Sequence, residues 1–164
     1  MTICDRIAVM DQGVVQQIGT PVELFDRPVN RFVAQFVGSV NLFEGTVRHV
    51  AGRPVFASAL GDCALPDGLA AAEGQRIEIA FRPHAVNLAP RAGAAPPAPA
   101  RDRLALGGVI EGGEFLGEFM RYEVRVERTV VVADQPHLRG MERLAIGTPV
   151  DLSVQPGEIR VIAQ

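Results

Sequence analysis

The sequence predicts a mainly β fold, in which a small antiparallel barrel or sandwich follows a β-hairpin and two short helices. Three observations lead to this prediction. From residue 41 onward short β-prone runs recur, Gly and Pro separate them, and no apolar pattern of helical period persists for about ten residues. The 164 residues, 48% of them hydrophobic, suffice for one ordinary domain, or for a small domain plus a fragment of another.

The first predicted element is a hairpin. The β-prone runs IAVM (residues 7–10) and VVQQI (residues 14–18) flank the short loop Asp11-Gln12-Gly13. Because Gly adopts the left-handed conformation without steric cost, this loop is typical of a bulged hairpin turn.

Two short helices are predicted next. Thr20 is a good N-cap, Pro21 suits the first helical position, and Glu23 lies in the favourable first turn. The sequence Arg27-Pro28 interrupts this helix, after which Asn30 caps a second one that ends at Gly38. The second helix is predicted to place four apolar residues on one side: Phe32, Val33, Phe36 and Val37.

These first 38 residues carry too little apolar surface for an independent core. We therefore expect residues 1–38 to be the tail of a larger domain, and residues 39–164 to form the β domain.

The predicted strands of the β domain cover residues 46–50, 54–57, 76–81, 121–127, 150–154 and 159–162. In the stretch 121–127, alternation places Tyr122, Val124 and Val126 inward and the charged residues outward. The Ala/Pro-rich stretch 88–103 has no periodicity, and it is predicted to be a flexible loop or a linker between two halves of the β region.

Composition excludes several classes of function. The net charge of −3, the single Tyr and the absence of Trp argue against nucleic acid as a partner. No signal peptide or run of roughly 20 apolar residues is present. Cys4 and Cys63 lack CxxC partners and read as two reduced thiols, which favours the cytoplasm.

All 16 basic residues are Arg, so the sequence holds no Lys for a phosphate-binding loop or a Schiff base. The stretch GGEFLGEF (residues 112–119) has the glycine spacing of such a loop, but Glu118 stands at the Lys position and Phe119 at the hydroxyl position. Its glycines are predicted to permit tight turns or close strand approach.

No histidine or serine pattern indicates a metal site or a nucleophile. No catalytic, cofactor-binding or metal-binding residue is therefore predicted.

Arg82, in the sequence FRPH at residues 81–84, follows a predicted strand and precedes a rigid turn. It could hold an oxyanion or a partner carboxylate. Alternatively, it pairs across a subunit or domain contact, or packs its aliphatic stem.

The stretch DRIAVMDQGVVQQIGTPVELFDRPVNRFVAQFVGSVNLFEGTV (residues 5–47) resembles the region after the catalytic core of ATP-binding subunits of bacterial ABC importers. In that family the hairpin closes the nucleotide-binding domain, and NLFEG opens a C-terminal regulatory domain. The pieces IAFRPHAVNLAP, GGVIEGGEFLGEFMRYEVRV and GTPVDLSVQPGEIRVI are similar to its TOBE-type, OB-like barrel. The branch handles sugars, polyamines, iron, sulfate and phosphonates. NLFEG, together with the FLG and RY of residues 115–122, looks most similar to the iron or polyamine members.

The resemblance implies that residues 1–38 are the C-terminal remnant of a nucleotide-binding domain, with the ATP-binding motifs before Met1. Accordingly the chain itself is expected to hydrolyse no ATP, and ATP and Mg²⁺ belong to the full-length parent. The parent would be cytoplasmic, peripheral to the inner face of the membrane, with permease subunits and a solute-binding protein as partners.

The function implied by the resemblance is regulation and dimerisation, since the regulatory domains of two ATP-binding subunits contact each other. A homodimer is expected, because burial of exposed Phe43 and Phe115 would be favourable. The predicted contact residues are Asn41, Leu42, Phe43, Glu44, Arg82, Phe115, Leu116, Gly117 and Arg121. The alternative is a sensor for an oxyanion or the transported solute, with Arg82, Arg121 and glycine-turn amides as donors.

Overall fold

The computed structural model describes residues 4–58, 61–65, 71–93 and 103–162. Strands β1 (Ile7–Asp11) and β2 (Val14–Gly19) form the predicted hairpin. Its loop has two residues, Gln12 and Gly13, both with positive φ (47° and 82°). Gln16 is the extra residue of a bulge, because the register shifts between Val9 and Met10.

Helices α1 (Pro21–Asp26) and α2 (Arg31–Phe36) follow. Thr20 and Glu23 form a reciprocal capping box, and Asn30 Oδ1 accepts from the Val33 amide, so both predicted N-caps are confirmed. These N–H bonds explain why two helices of six residues begin where they do.

The predicted apolar side of α2 is partly wrong. Val33 and Val37 are buried as expected, but Phe36 is 65% exposed and Ala34 takes its place in the interior. A helix turns 100° per residue, so a face that buries residues 33, 34 and 37 leaves residue 36 outside. Phe36 instead stacks on Phe32, with ring centroids 5.8 Å apart.

In the described residues from 41 onward, the strands pair into two antiparallel five-stranded sheets. The first has the order β12-β6-β3-β4-β5, and the second has the order β10-β9-β8-β11-β7. The strands, in chain order, are β3 (Asn41–Val50), β4 (Arg53–Ser58), β5 (Gly61–Ala64), β6 (Arg76–Phe81), β7 (Asn87–Pro90), β8 (Leu104–Phe115), β9 (Phe119–Val126), β10 (Thr129–Pro136), β11 (Pro149–Val154) and β12 (Arg160–Ile162).

The two sheets enclose one large apolar core, to which both contribute fully buried side chains such as Phe56, Ile79, Val124 and Leu152. The predicted mainly β fold, with an OB-like antiparallel barrel after a hairpin and two helices, is confirmed. We call Asn41–Ile162 the barrel and residues 4–40 the N-terminal segment. The segment has its own small cluster of Val9, Leu24, Val33 and Val37.

Part of the predicted loop at residues 88–103 is instead a strand. Leu88 and Pro90 belong to β7, where they pair with Leu152 and Val150 of β11. Residues 88–90 form a strand because they pair with β11, and this pairing is not visible in the local composition. Residues 94–102 of the predicted loop lie outside the described residues.

Candidate functional site

Arg82 lies at the crossing between the two sheets, directly after β6 and before β7. Its Nη1 group donates to the backbone oxygens of Ala34 (3.0 Å), Gly38 (3.1 Å) and Ser39 (3.1 Å). Its Nη2 group donates to the Phe25 oxygen at 2.9 Å, and its Cζ lies 4.0 Å from the centroid of the Phe25 ring. Arg82 therefore connects the barrel to both helices of the N-terminal segment.

Burial of the Arg82 guanidinium lowers its pKa from the usual value, and the nearby Asp26 carboxylate partly opposes this. Arginine nonetheless stays cationic at any physiological pH. Arg82 is thus a permanently charged hydrogen-bond donor surrounded by backbone carbonyl oxygens.

Arg121 makes the second connection. Its Nε and Nη2 groups form a bidentate pair with the two Asp134 oxygens, each at 2.8 Å, and this hydrogen bonding raises the pKa of Arg121. Its Nη1 group donates to the Ser39 hydroxyl at 3.2 Å. Ser39 is therefore held by Arg82 through its carbonyl and by Arg121 through its side chain.

Two further arginines join the segment to the barrel. Arg160 of β12 donates to the Asp26 backbone oxygen at 3.0 Å. Arg31 of α2 donates to Glu78 of β6 at 2.8 Å. The Glu78 carboxylate is buried, so Arg31 supplies the counter-charge that makes its burial tolerable.

The four predicted contact residues at the start of β3 divide between the two faces of the strand. Asn41 is buried, and its amide exchanges two 2.8 Å bonds with the Val132 backbone of β10. Phe43 is also buried and stacks on Phe81, so the expected exposure of Phe43 is wrong. Strand alternation is the reason, since residues 41 and 43 point into the core. On the other face Glu44 is exposed, whereas Leu42 packs against the small cluster of Ala34, Ala80 and Ile162.

The hairpin between β8 and β9 presents the other predicted contact residues. Phe115 is 55% exposed, as expected, and Leu116 is 40% exposed. Gly117 has φ +88° in the turn, which confirms the predicted use of a glycine for a tight turn. We call the exposed apolar residues here the tip surface: Phe115, Leu116, Leu138 and Met141.

A groove of about 410 Å³ lies beside the tip surface. Its walls include Leu88, Met120, Tyr122, His137, Met141 and Leu144. The Leu144 amide donates to the Tyr122 hydroxyl at 3.1 Å, and Arg143 donates to the Gly113 oxygen. Arg143, the one arginine among the described residues that line the groove, is therefore bonded to backbone.

The two arginines predicted to bind an oxyanion in the sensor alternative already have hydrogen-bond partners within the chain. Arg82 directs its guanidinium at four carbonyl oxygens, and Arg121 is paired with Asp134. Within the described ranges, no group of three or more His, Cys, Asp or Glu side chains could hold a metal ion. In the same residues, no helix has the length and apolar character needed to cross a membrane.

Comparison with known families decides the classification. The family model described as the TOBE domain matches residues 79–162. This chain belongs to the TOBE domain family. The match begins within β6 and includes Arg82, the tip surface and Arg121, whereas the N-terminal segment precedes it.

Curated relatives of this TOBE-domain chain are spermidine/putrescine import ATP-binding proteins named PotA. The Pseudomonas fluorescens protein is 32% identical over 95% of this chain and 41% of its own length. The Rubrobacter xylanophilus protein is 46% identical over 51% of this chain and 23% of its own length. PotA 1 of Pseudomonas aeruginosa is 31% identical over 99% of this chain and 42% of its own length. The chain thus spans less than half the length of these relatives.

Among solved structures, the TOBE-domain chain is similar to the cytoplasmic molybdate-binding protein ModG with molybdate bound. The TM-score is 0.59 at 14% identity, over 76% of this chain and 96% of that one. At this identity the similarity establishes the shared fold.

Sequence reasoning predicted Arg82 and Arg121 but missed Arg31, Glu78 and Arg160. A charged residue in an alternating strand normally reads as solvent-facing, which is why Glu78 gave no signal. The partners of Arg82 and Arg160 in the N-terminal segment lie 43 to 134 positions away in the chain. Only the folded chain brings them together.

Proposed function

We propose that this chain is the regulatory and dimerisation domain of the ATP-binding subunit of an ABC-type solute importer. The observation that carries the proposal is the similarity to PotA proteins, which extends over 95% of this chain and thus includes the N-terminal segment as well as the TOBE domain. The relatives' names further favour a polyamine as the transported solute. Permease subunits and a solute-binding protein are the proposed partners, at the cytoplasmic face of the membrane.

The N-terminal segment is proposed to be the end of a nucleotide-binding domain. It exposes several large apolar side chains: Met10, Val14, Val15, Ile18, Val22, Val29 and Phe36. An apolar surface of this extent favours contact with a further protein surface. ATP and Mg²⁺ would bind in the full-length parent, while this chain, which contains no Lys, would not hydrolyse ATP by itself.

Dimerisation is proposed to occur through the tip surface, where Phe115 and Leu116 are exposed in one hairpin. The test is sedimentation velocity across a concentration series with three proteins: wild type, a F115S/L116S variant and a V14S/I18S variant. We expect a wild-type dimer whose dissociation constant rises about tenfold or more only in F115S/L116S.

Two outcomes would contradict the dimer proposal. A wild-type monomer at all concentrations would exclude self-association of this chain. A monomer formed only by V14S/I18S would place the contact on the hairpin of the N-terminal segment.

The assignment of the ATP site to the full-length parent has its own test. Mg²⁺-dependent binding of a fluorescent ATP analogue to the chain alone would overturn that assignment.

Ligand sensing is the second candidate function, and the groove beside the tip surface is the observation that favours it. Its volume of about 410 Å³ falls in the usual range for small-molecule sites. Thermal melting with putrescine, spermidine, sulfate, phosphate and molybdate tests this role. A saturable rise in melting temperature with one of them supports sensing, and equal melting curves with all five contradict it for these solutes.

A further inference from the structure

The ends of α1 and α2 leave backbone oxygens that the helices themselves do not bond. The final amide bonds of the two helices run from Arg27 to the Glu23 oxygen and from Val37 to the Val33 oxygen. The oxygens of Phe25 and Ala34 lie beyond these bonds, among the C-terminal carbonyls that an α-helix cannot satisfy internally.

Arg82 donates to both of these oxygens, at 2.9 Å to Phe25 and at 3.0 Å to Ala34. One guanidinium therefore caps the C-terminal ends of two helices. The negative ends of the helix dipoles favour a cation at this place, and the planar fork of Arg can reach oxygens in two directions.

The capping matters because each helix has only six residues. Helices of this length are unstable in water unless tertiary contacts support them. The barrel supplies that support through Arg82 and through a small apolar cluster of Ala34, Ala80 and Ile162.

The position of Arg82 in the chain gives the contact a second consequence. β6 belongs to one sheet and β7 to the other, and Arg82 lies between them. A displacement of the helix ends would therefore pull on the backbone at the crossing of the two sheets. Ser39, held by Arg82 and Arg121 together, extends the same connection to β9.

We infer that Arg82 is a coupling residue that joins the N-terminal segment and the barrel into one mechanical and cooperative unit. The inference deepens the proposed regulatory function, on which its meaning for transport rests. In the full importer, a movement of the nucleotide-binding domain would shift the ends of α1 and α2. Arg82 would transmit this shift to the barrel as a rigid displacement, because residues 37–40 would not act as a flexible hinge.

Hydrogen–deuterium exchange of the chain tests the coupling directly. We expect the Arg82→Ala variant to raise the exchange of α1 and α2 amides by about tenfold or more, because it removes charged hydrogen bonds to both helix ends. The β9 amides, deep in the barrel, should exchange as in the wild type. Arg82→Lys should fall between the two proteins, since an ammonium keeps the charge but cannot span the four oxygens.

Arg53→Ala is the matched control, because Arg53 is an exposed arginine of β4. It should leave the exchange of both regions unchanged. If amide exchange rose equally in the helices and the barrel, in both Arg82→Lys and Arg82→Ala, Arg82 would contribute only to overall stability. Unchanged helix exchange in both variants would overturn the inference outright. Since no nucleotide or transporter enters this experiment, its outcome is independent of the importer assignment.

Discussion

The Cys63 thiol illustrates how burial sets the chemistry of one side chain. Cys63 is 1% exposed, and burial, helped by the neighbouring Asp62 charge, raises its pKa to about 12. Cys4 is exposed. Because the thiolate is the reactive form, the two residues should differ strongly in reactivity.

We therefore expect one thiol per native chain to react with a disulfide reagent at pH 8, and two after denaturation. After separate alkylation of the native protein, mass spectrometry should locate the alkyl label on Cys4. Rapid native labelling of Cys63 would show that the barrel opens easily around β5. A Cys4→Ser variant, which should be inert until unfolded, is the control.

At the scale of one element, β3 depends on a glycine where it passes β4. A Cβ at Gly45 would lie 2.4 Å from a ring carbon of Phe56 and 2.6 Å from the Ala57 backbone oxygen. Both distances are below any normal carbon contact, and the backbone oxygen cannot rotate away. Gly45 thus permits the close approach of the two strands.

Gly45→Ala should accordingly destabilise the protein by about 1–3 kcal/mol in urea denaturation. Gly157→Ala is the control, because a Cβ there meets no atom within 4 Å and the residue does not have a positive φ. Equal stability of the two variants would mean that β3 and β4 can separate at this position without cost.

The elements that the sequence predicted well are those with local signals. The caps at Thr20 and Asn30 and the alternation from Tyr122 to Val126 depend on neighbours in the chain, and all appear in the structure. Strand β8 was missed because its four glycines, at 107, 108, 112 and 113, weaken strand propensity, and its pairing with β9 and β11 supplies the missing stabilisation.

The site shows the same division. Arg82 and Arg121 stood out through their local context, but nothing local indicated what they would bond. The exposure of Phe115 followed from a turn, whereas the burial of Phe43 depended on the register between β3 and β6. Register and long-range partners are properties of the assembled sheets, and a single sequence carries little information on them.

At the scale of the whole molecule, the described residues form two apolar cores of very different size, which are joined by arginines and by the small cluster of Ala34, Ala80 and Ile162. The N-terminal cluster contains four buried residues, Leu24 among them, while the barrel core contains Leu152 and most of the remaining buried side chains. A cluster of four residues is too small to fold alone. Its stability should therefore derive from the barrel.

Leu24→Ala and Leu152→Ala test this dependence, because each removes the same side chain from a different core. Leu24 is fully buried and Leu152 is 2% exposed, so each change should cost about 2–5 kcal/mol. If the chain is one cooperative unit, calorimetry should show a single transition for both variants, shifted to lower temperature, with equal calorimetric and van't Hoff enthalpies. A separate low-temperature transition in Leu24→Ala alone would show that the N-terminal segment unfolds independently. In that case the arginine contacts would hold two units side by side without coupling their stability.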